Sequence, residues 1–533
     1  MKGFRQTQSS LHTWTGLVVG WVLFLIFING TAAFWREEIS HWMRPELPAA
    51  ATIITPADET RMMESALAAL SAKAPDAASW TIIPPGSRGS GTQLVWAERA
   101  KPGERIRFRW PDATNSLWLG NDGRPVEVRE TRGGDFFYRL HFDLHYMPVL
   151  WARWFVGFCS MFMLVAIVTG IITHKKIFRD FFTFRPGKGQ RSWLDGHNAT
   201  AVLALPFHLM ITYTGLVTLM ALYMPWGMLA NFNDSAEFFA ATQPQLPPAS
   251  YAATPTPQAP IAPMLEQARA LWQGGTVGGV RISNPGDAAA RVQISRHLGD
   301  RVLDRSQTIT FDGVTGQMLA RPPHSGAGIA TRDAMVGLHA GRFAPTTVRW
   351  LYFLSGLAGT AMVATGLVMW TAKRREKLPD PGRPHFGFRL VERLNVATVA
   401  GLPVGMVAMF WANRLLPVGL EGRWHAEVNA MFIAWGLCIV HAFMRPPKRG
   451  WVEQFTLCAV MLLGLPLYDQ ITGNGLWQHV LHGDTTRFWT DVTLWGLALS
   501  LAAIAWKVYC HKPRATARTP RASKGTALAV AGE

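Results

Sequence analysis

Residues 11–35 read LHTWTGLVVGWVLFLIFINGTAAFW, a run of 25 residues without a charged side chain. A membrane-spanning helix needs about 20 mostly apolar residues, so this stretch is long enough to cross a bilayer. Seven further stretches are similarly apolar, at 149–173, 197–222, 348–372, 394–415, 425–444, 454–470 and 489–510. The sequence therefore predicts a mainly α-helical, polytopic membrane protein with about eight transmembrane helices.

The composition of the 533-residue chain agrees with a membrane location. Charged residues make up 16% of the chain, against about 25% in a typical soluble protein. The formal net charge is +17, but Lys and Arg occur in short clusters between apolar runs. A nucleic-acid-binding protein would concentrate them on one surface, so we expect membrane lipid and no nucleic acid among the partners. The four cysteines are scattered without a CxxC spacing, which excludes a disulfide scaffold, covalently attached haem and a cysteine-rich metal cluster.

The basic clusters also predict the orientation of the chain. With eight spans, five segments rich in Lys and Arg fall on one side of the membrane, which the positive-inside rule makes cytoplasmic. They are 2–5, 175–191, 373–393, 445–449 and 512–524. Both termini are then cytoplasmic and the two long segments lie outside. The first apolar run could also be a secretory signal, but it is long for one and carries His12 at its cytoplasmic end.

Each long outer segment is predicted to form a small α+β module, because a helical pattern is followed by alternating strands. The predicted helices lie at 59–72 and 264–272, and the predicted strands at 92–97, 105–110, 279–283, 290–295 and 308–311. The predicted organisation is TM1 at 1–35, module 1 at 36–148, TM2 and TM3 with a basic loop at 149–222, module 2 at 223–347, TM4 at 348–372, a basic loop at 373–393, four additional helices at 394–510 and a tail at 511–533.

An internal duplication relates residues 1–175 to residues 190–373. Both halves have the plan span, outer module, span, and both place the same residue types at corresponding positions. The paired residues are His12 and His197 near the cytoplasmic side, His145 and His339 near the outer side, Arg153 and Arg349 at the start of the second span of each half, and Thr169 and Thr365 near its end. We expect related repeats to place each pair around a shared pseudo-twofold axis.

The paired histidines indicate haem chemistry. Ionisable residues at membrane depth are costly and usually functional, and two facing helices can supply two axial histidines to haem iron. The four repeat-related histidines predict two b-type haems, one near each membrane face, with a gap on the order of the 30 Å hydrocarbon core or less.

Three other histidines compete for these roles. His174 could replace His12 or His197, His141 lies one helical turn before His145 and could substitute for it, and His208 could bind a haem nearer the middle of the membrane. Arg153 and Arg349 are placed to bind haem propionates. The alternative is that the histidines are interfacial hydrogen-bonding groups and the arginines interfacial anchors.

Four stretches carry a resemblance to a known family. They are LHTWTGL at 11–17, LHFDLH at 140–145, DGHNATAVLALPFHLMITYTGL at 195–216, and the segment from GLHAGRF at 337–343 to Trp370. Over roughly residues 1–375 the chain resembles the PepSY-associated transmembrane family of bacterial inner-membrane proteins, which includes ferric-siderophore reductases. The resemblance implies PepSY-like modules in the periplasm and a haem-b protein that reduces ferric iron held by a siderophore and releases Fe(II).

The four helices after 394 depart from the four-span members of that family, and they could supply a quinol site or a docking surface. No GxGxxG after a strand and no P-loop occur in the sequence, so a quinol, a separate reductase or a soluble donor must supply the electrons. Two other functions remain open: a transporter of siderophore or iron, and a regulatory PepSY protein without redox activity.

Overall fold

A computed structural model of the chain describes residues 3–49, 55–86, 88–99, 115–174, 185, 190–242, 246–305, 307–322 and 326–511. The predicted strand at 105–110, most of the predicted tail and most of the basic loop after the second span lie outside these residues. The helices are α1 Phe4–Ala33, α2 Arg36–Trp42, α3 Pro56–Lys73, α4 Gly133–Asp143, α5 Val149–Thr173, α6 Gln190–Leu203, α7 Leu205–Thr218, α8 Met220–Tyr223, α9 Trp226–Leu229, α10 Ser235–Thr242, α11 Ile261–Leu271, α12 Ala327–Ala340, α13 Thr346–Arg375, α14 Phe386–Val399, α15 Gly401–Leu415, α16 Arg423–Met444, α17 Pro447–Ile471, α18 Leu476–Leu481 and α19 Thr485–Cys510.

The prediction of about eight transmembrane helices is confirmed. Among the described residues, seven helical segments are long and apolar enough to span a membrane, with α14 and α15 counted as one segment, and the bent pair α6–α7 makes an eighth. The two helices of that pair meet at 68°, and the break lies at Ala204, just before Pro206. Proline lacks an amide hydrogen and clashes with the carbonyl four residues earlier, so a continuous helix is disfavoured there.

The two repeats together build a four-helix bundle. Helix α1 packs against α5 and α13, α13 packs against α6, and α5 packs against α7. The additional helices join this bundle through α14, which contacts both α1 and α13. Asn395 on α14 accepts a hydrogen bond from Trp21 at 2.9 Å and donates one to the carbonyl of Leu367 at 3.1 Å. A polar side chain buried in the membrane is thus satisfied by both repeats.

The two outer segments share one antiparallel sheet. Its strands are β1 Ser79–Ile83, β2 Thr92–Ala97, β3 Ser116–Leu119, β4 Pro125–Val126, β5 Val277–Ser283, β6 Arg291–Arg296, β7 Thr308–Asp312 and β8 Met318–Ala320. Their order is β4-β3-β2-β1-β5-β6-β7-β8. The first segment pairs with the second through β1 and β5, with Trp80 opposite Ile282, and α3 and α11 cover the same face in one apolar core. Each segment is α+β as predicted, but the sequence did not predict that they pair.

The ends of the strands rest on the membrane bundle, and we call this end of the bundle the sheet end and the opposite one the far end. Arg88, in the loop between β1 and β2, forms ion pairs with Glu37 and Glu38 on α2. Asp304, after β6, accepts a hydrogen bond from Arg342 beyond α12 at 2.8 Å. Charged contacts therefore position the sheet on both repeats.

Candidate functional site

The far-end layer consists of His12 on α1 and His197 on α6. The two imidazole ring centroids are 6.2 Å apart. His12 donates from Nδ1 to the carbonyl of Ala166 on α5 at 2.8 Å, and His197 donates from Nδ1 to the carbonyl of Met362 on α13 at 2.9 Å. The structure thus brings together the pair that the repeat predicted, and it gives both histidines the same kind of partner.

The surroundings of the two rings are also repeated. The hydroxyl of Thr169 lies 3.4 Å from Nδ1 of His12, and that of Thr365 lies 3.5 Å from Nδ1 of His197. A Cβ atom added at Gly170 would be 3.4 Å from the His12 ring, and one added at Gly366 would be 3.3 Å from the His197 ring. Small residues at these two positions allow each ring to lie directly against its neighbouring helix.

This geometry fits axial ligation of a metal. A hydrogen bond from Nδ1 to a backbone carbonyl orients an imidazole and leaves Nε2 as the ligand atom. With metal–nitrogen bonds of about 2 Å on either side, the two ring centroids would be roughly 6 Å apart. In the described part of the chain, no group of three or more His, Cys, Asp or Glu side chains is arranged to hold a metal ion. Two imidazoles at this spacing could hold the iron of a haem between them.

The sheet-end layer is formed by His339 on α12 and His141 on α4. His339 donates from Nδ1 to the carbonyl of Ile211 on α7 at 3.0 Å, and a Cβ at Gly215 would be 3.0 Å from its ring. His141 lies against α1, where a Cβ at Gly30 would be 3.8 Å from its ring. Burial lowers the pKa of His141 to about 4, and the charge of a protonated His339 contributes to that lowering. Each of the two imidazoles lies against a helix of the bundle, and neutral imidazole is the form that binds metals.

The two glycines explain why His141 is the counterpart of His339. Gly30 follows His12 by 18 residues, and Gly215 follows His197 by the same 18 residues. Eighteen residues are five full helical turns, so His12 and Gly30 share one face of α1 and are about 27 Å apart along it. The Nδ1 of His141 and the Oδ1 of Asn29 are buried without a partner among the described residues. Such orphaned polar atoms beside an imidazole fit a site that takes a polar ligand.

His145, which the sequence paired with His339, lies elsewhere in the structure. It follows the end of α4 with a φ of 40°, and its ring stacks on Phe432 of α16 at 5.6 Å. The match between the Leu-His dipeptides at 144–145 and 338–339 favoured His145 in the sequence. The 18-residue spacing from each first histidine to a glycine is visible in the sequence, but the contact of Gly30 with His141 rather than His145 is seen in the fold.

His174 and His208 occupy other positions in the bundle. His174 follows α5, and its Nε2 accepts a hydrogen bond from Asn198 at 2.8 Å, next to His197. His208 is buried on α7 and donates from Nε2 to the carbonyl of Ser355 at 3.3 Å. The repeat places an apolar residue, Leu23, at the position that corresponds to His208. Neither histidine has a repeat-related partner of its own type.

Arg153 and Arg349 are both paired with carboxylates. Arg153 donates to Asp143 at 2.8 Å, and Arg349 donates to Glu38 at 2.6 Å and to the carbonyl of Ala344 at 3.0 Å. Their predicted role as propionate-binding groups would require them to exchange these partners. As placed, they anchor the first turns of α5 and α13 to the segments just outside the bundle.

The family model for the PepSY-associated TM region matches residues 9–373. The chain belongs to this family. The match contains both histidine layers and the whole outer sheet, and it ends within the last turn of α13. Helices α14–α19 of this PepSY-associated protein therefore lie outside the matched region. No curated protein matches the chain significantly.

Gly337→Ala tests how α12 positions His339. A Cβ at this position would be 1.6 Å from the carbonyl oxygen of Val302, so α12 must move away from the loop below β6. We expect a loss of about 1–3 kcal/mol in the free energy of unfolding from the overpacking, and weaker contact between His339 and α7. Gly328→Ala on the same helix is the matched control, because no atom lies within 4 Å of the added Cβ. Equal stability of the two variants, measured by denaturant unfolding, would contradict the placement of α12.

Proposed function

We propose that this PepSY-associated membrane protein binds two b-type haems and passes electrons to ferric iron outside the membrane. The observation that carries the proposal is the repeated pair of histidine layers, above all His12 and His197 with ring centroids 6.2 Å apart. His12 and His197 would hold the far-end haem, and His141 and His339 the sheet-end haem. Bound haem supplies a one-electron Fe(III)/Fe(II) couple at each layer.

The protein's own residues orient the ligands. The carbonyls of Ala166, Met362 and Ile211 fix three of the imidazoles through Nδ1. Each of these carbonyls accepts a hydrogen bond from Nδ1–H, which keeps the proton on Nδ1 and so keeps the ring in the tautomer with Nε2 available. The four-helix bundle separates the two layers by about five turns of α1.

The direction of transfer follows from the proposed orientation, with the protein in a bacterial inner membrane. The basic clusters favour the cytoplasmic side for the far end, and the sheet end would then face the periplasm. A ferric siderophore that docks at the sheet end would accept an electron there. Fe(II) is held much more weakly than Fe(III) by hard oxygen chelators, so the reduced metal leaves its carrier. A quinol or a separate reductase would supply the electrons.

The test is a haem count and a redox titration on the purified chain. We expect two haems per chain with two separable reduction potentials, and we expect a ferric siderophore to reoxidise both in a stoichiometric reaction. A colourless preparation from haem-replete cells would refute the proposal and favour a transporter or a regulatory protein. If the haem can be reduced but no ferric complex reoxidises it, the proposed cofactor would be supported and the proposed ferric substrate would be refuted.

A further inference from the structure

A cleft of about 430 Å³ lies at the sheet end, where the additional helices meet the first outer segment. Residues 45–49 after α2 form one wall, and the loop and short helix between α17 and α19 form the other. The polar lining residues are Asn121, Asn474, Gln478, His479, His482, Asp484 and Arg487. Neither histidine layer contributes to this cleft.

The charges in the cleft cancel. Asp484 and Arg487 are the charged side chains among its lining residues, and they pair at 2.8 Å. Arg487 also donates to the carbonyls of Arg44 at 2.8 Å and Leu47 at 2.9 Å. Burial opposes the ionisation of Asp484, but the hydrogen bond from His41 and the charge of Arg487 lower its pKa to about 2. The cleft therefore offers hydrogen-bonding groups without net charge, which suits a neutral polar headgroup better than an anion.

A buried carboxylate connects the cleft to the interior. Asp491 on α19 is fully buried, and its Oδ2 lies 3.4 Å from Nε2 of His479, which lines the cleft. Its Oδ1 accepts a hydrogen bond from the indole of Trp42 at 2.8 Å. No arginine or lysine is paired with Asp491 in the described residues. An ionisable group at membrane depth without a balancing cation is a candidate for proton transfer.

An aromatic cluster continues from Asp491 toward the sheet-end histidines. Trp42 packs against Phe410 with ring centroids 5.3 Å apart, and Phe410 packs against Phe137 at 5.6 Å. Phe137 lies on α4 one helical turn before His141. A continuous packed path thus joins the carboxylate to the helix that carries the sheet-end histidine.

The position of the cleft gives access to lipid. Trp477, Val480 and Leu481 on α18 are exposed apolar side chains at its edge, and Ile471 at the end of α17 is also exposed. Exposed tryptophan at the end of a bundle is typical of the membrane interface. A ligand with an apolar tail in the bilayer and a neutral polar headgroup would meet both parts of this site.

We propose that the cleft is a quinol-oxidising site in which Asp491 and His479 accept the protons of the quinol, an inference that rests on the proposed haem function. Oxidation of the quinol breaks two O–H bonds and yields the quinone, two protons and two electrons. The protons pass to the Asp491–His479 pair and leave through the cleft to the outside. The two electrons would leave the quinol one at a time along the packed path toward His141 and His339, which would hold the haem that passes them to two ferric ions.

The kinetic experiment compares Asp491→Asn and His479→Gln with the unmodified protein. Asparagine retains an oxygen that can accept from Trp42 but cannot take up a proton, so we expect haem reduction by decylubiquinol or menadiol to slow by about 100-fold. Haem content and reduction by dithionite should not change. His425→Gln is the matched control, since His425 lies on α16 outside the cleft lining. Quinol-driven reduction of Asp491→Asn at the unmodified rate would overturn the proposal.

A labelling experiment tests the cleft independently of haem. A photoreactive azidoquinone should label peptides within 44–49 and 472–487, and excess unlabelled quinone should prevent this labelling. Labelling confined to another part of the chain, or a phospholipid in the cleft that quinone does not displace, would overturn the proposal. A protein without haem would refute the proposed function, while the labelling would still decide whether the cleft binds quinone.

Discussion

His141→Ala is expected to lose the sheet-end haem, so that the purified protein keeps about half of its Soret absorbance. The physical reason is that His141 lies against Gly30 on α1, the repeat-related counterpart of the Gly215 that contacts His339, where it would supply one of the two haem ligands. A haem with one remaining imidazole ligand would bind weakly and reduce at a different potential. The measurement is haem per chain, together with the redox titration of the haem that remains.

His145→Ala is the matched control, since the same residue type is removed four positions away. His145 stacks on Phe432 and should be dispensable for haem binding. His197→Ala should instead lose the far-end haem, because it removes a ligand of that haem. The reduction potential of the sheet-end haem should then remain unchanged. Loss of haem from His145→Ala but not from His141→Ala would restore the pairing that the sequence suggested and would contradict this placement of α4.

Arg423→Met is expected to destabilise the additional helices by about 3–5 kcal/mol, because one partner of a buried ion pair is removed. Arg423 and Glu427 on α16 form this ion pair with both side chains 0% exposed. Arg423 also donates to the carbonyls of Asn413 at 2.6 Å and Glu130 at 3.2 Å, which joins α15 and the first outer segment. The variant would leave Glu427 as an uncompensated buried charge. The measurement is the free energy of unfolding in detergent, followed by tryptophan fluorescence.

Arg445→Met is the control for this prediction. Arg445 pairs with Glu453 at the far end of α16, where their side chains are 50% and 35% exposed. An exposed ion pair contributes about 0–1 kcal/mol, so this variant should unfold almost like the unmodified protein. Similar losses in the two variants would mean that the network around Glu427 is open to water.

The far-end site could be predicted from the sequence because its parts are repeated at constant spacing. His12 and Gly170 have counterparts in His197 and Gly366, and each histidine lies near the start of an apolar run. Hydrophobic periodicity places such residues on the faces of their own helices. Two related halves that pack together then bring the corresponding residues near each other.

The sheet-end pair could not be predicted with the same certainty, since α4 and α12 are short helices outside the membrane runs. A choice between His141 and His145 depends on how α4 ends, and the left-handed residues at 144–146 direct His145 away toward α16. The sequence pattern of α4 identifies both histidines as candidate ligands, but it does not predict which residues each one contacts.

The membrane class, the spans, the duplication and the far-end histidines were predictable from the sequence, because each depends on residue type and spacing along one chain segment. The pairing of β1 with β5, the contact of His141 with Gly30, and the hydrogen bond of Asp491 with Trp42 across 449 residues of chain were established by the fold alone. Amphipathic patterning specifies which face of an element is buried. The element against which that face packs is determined by shape and hydrogen bonding between distant segments, and these exist only in the folded protein.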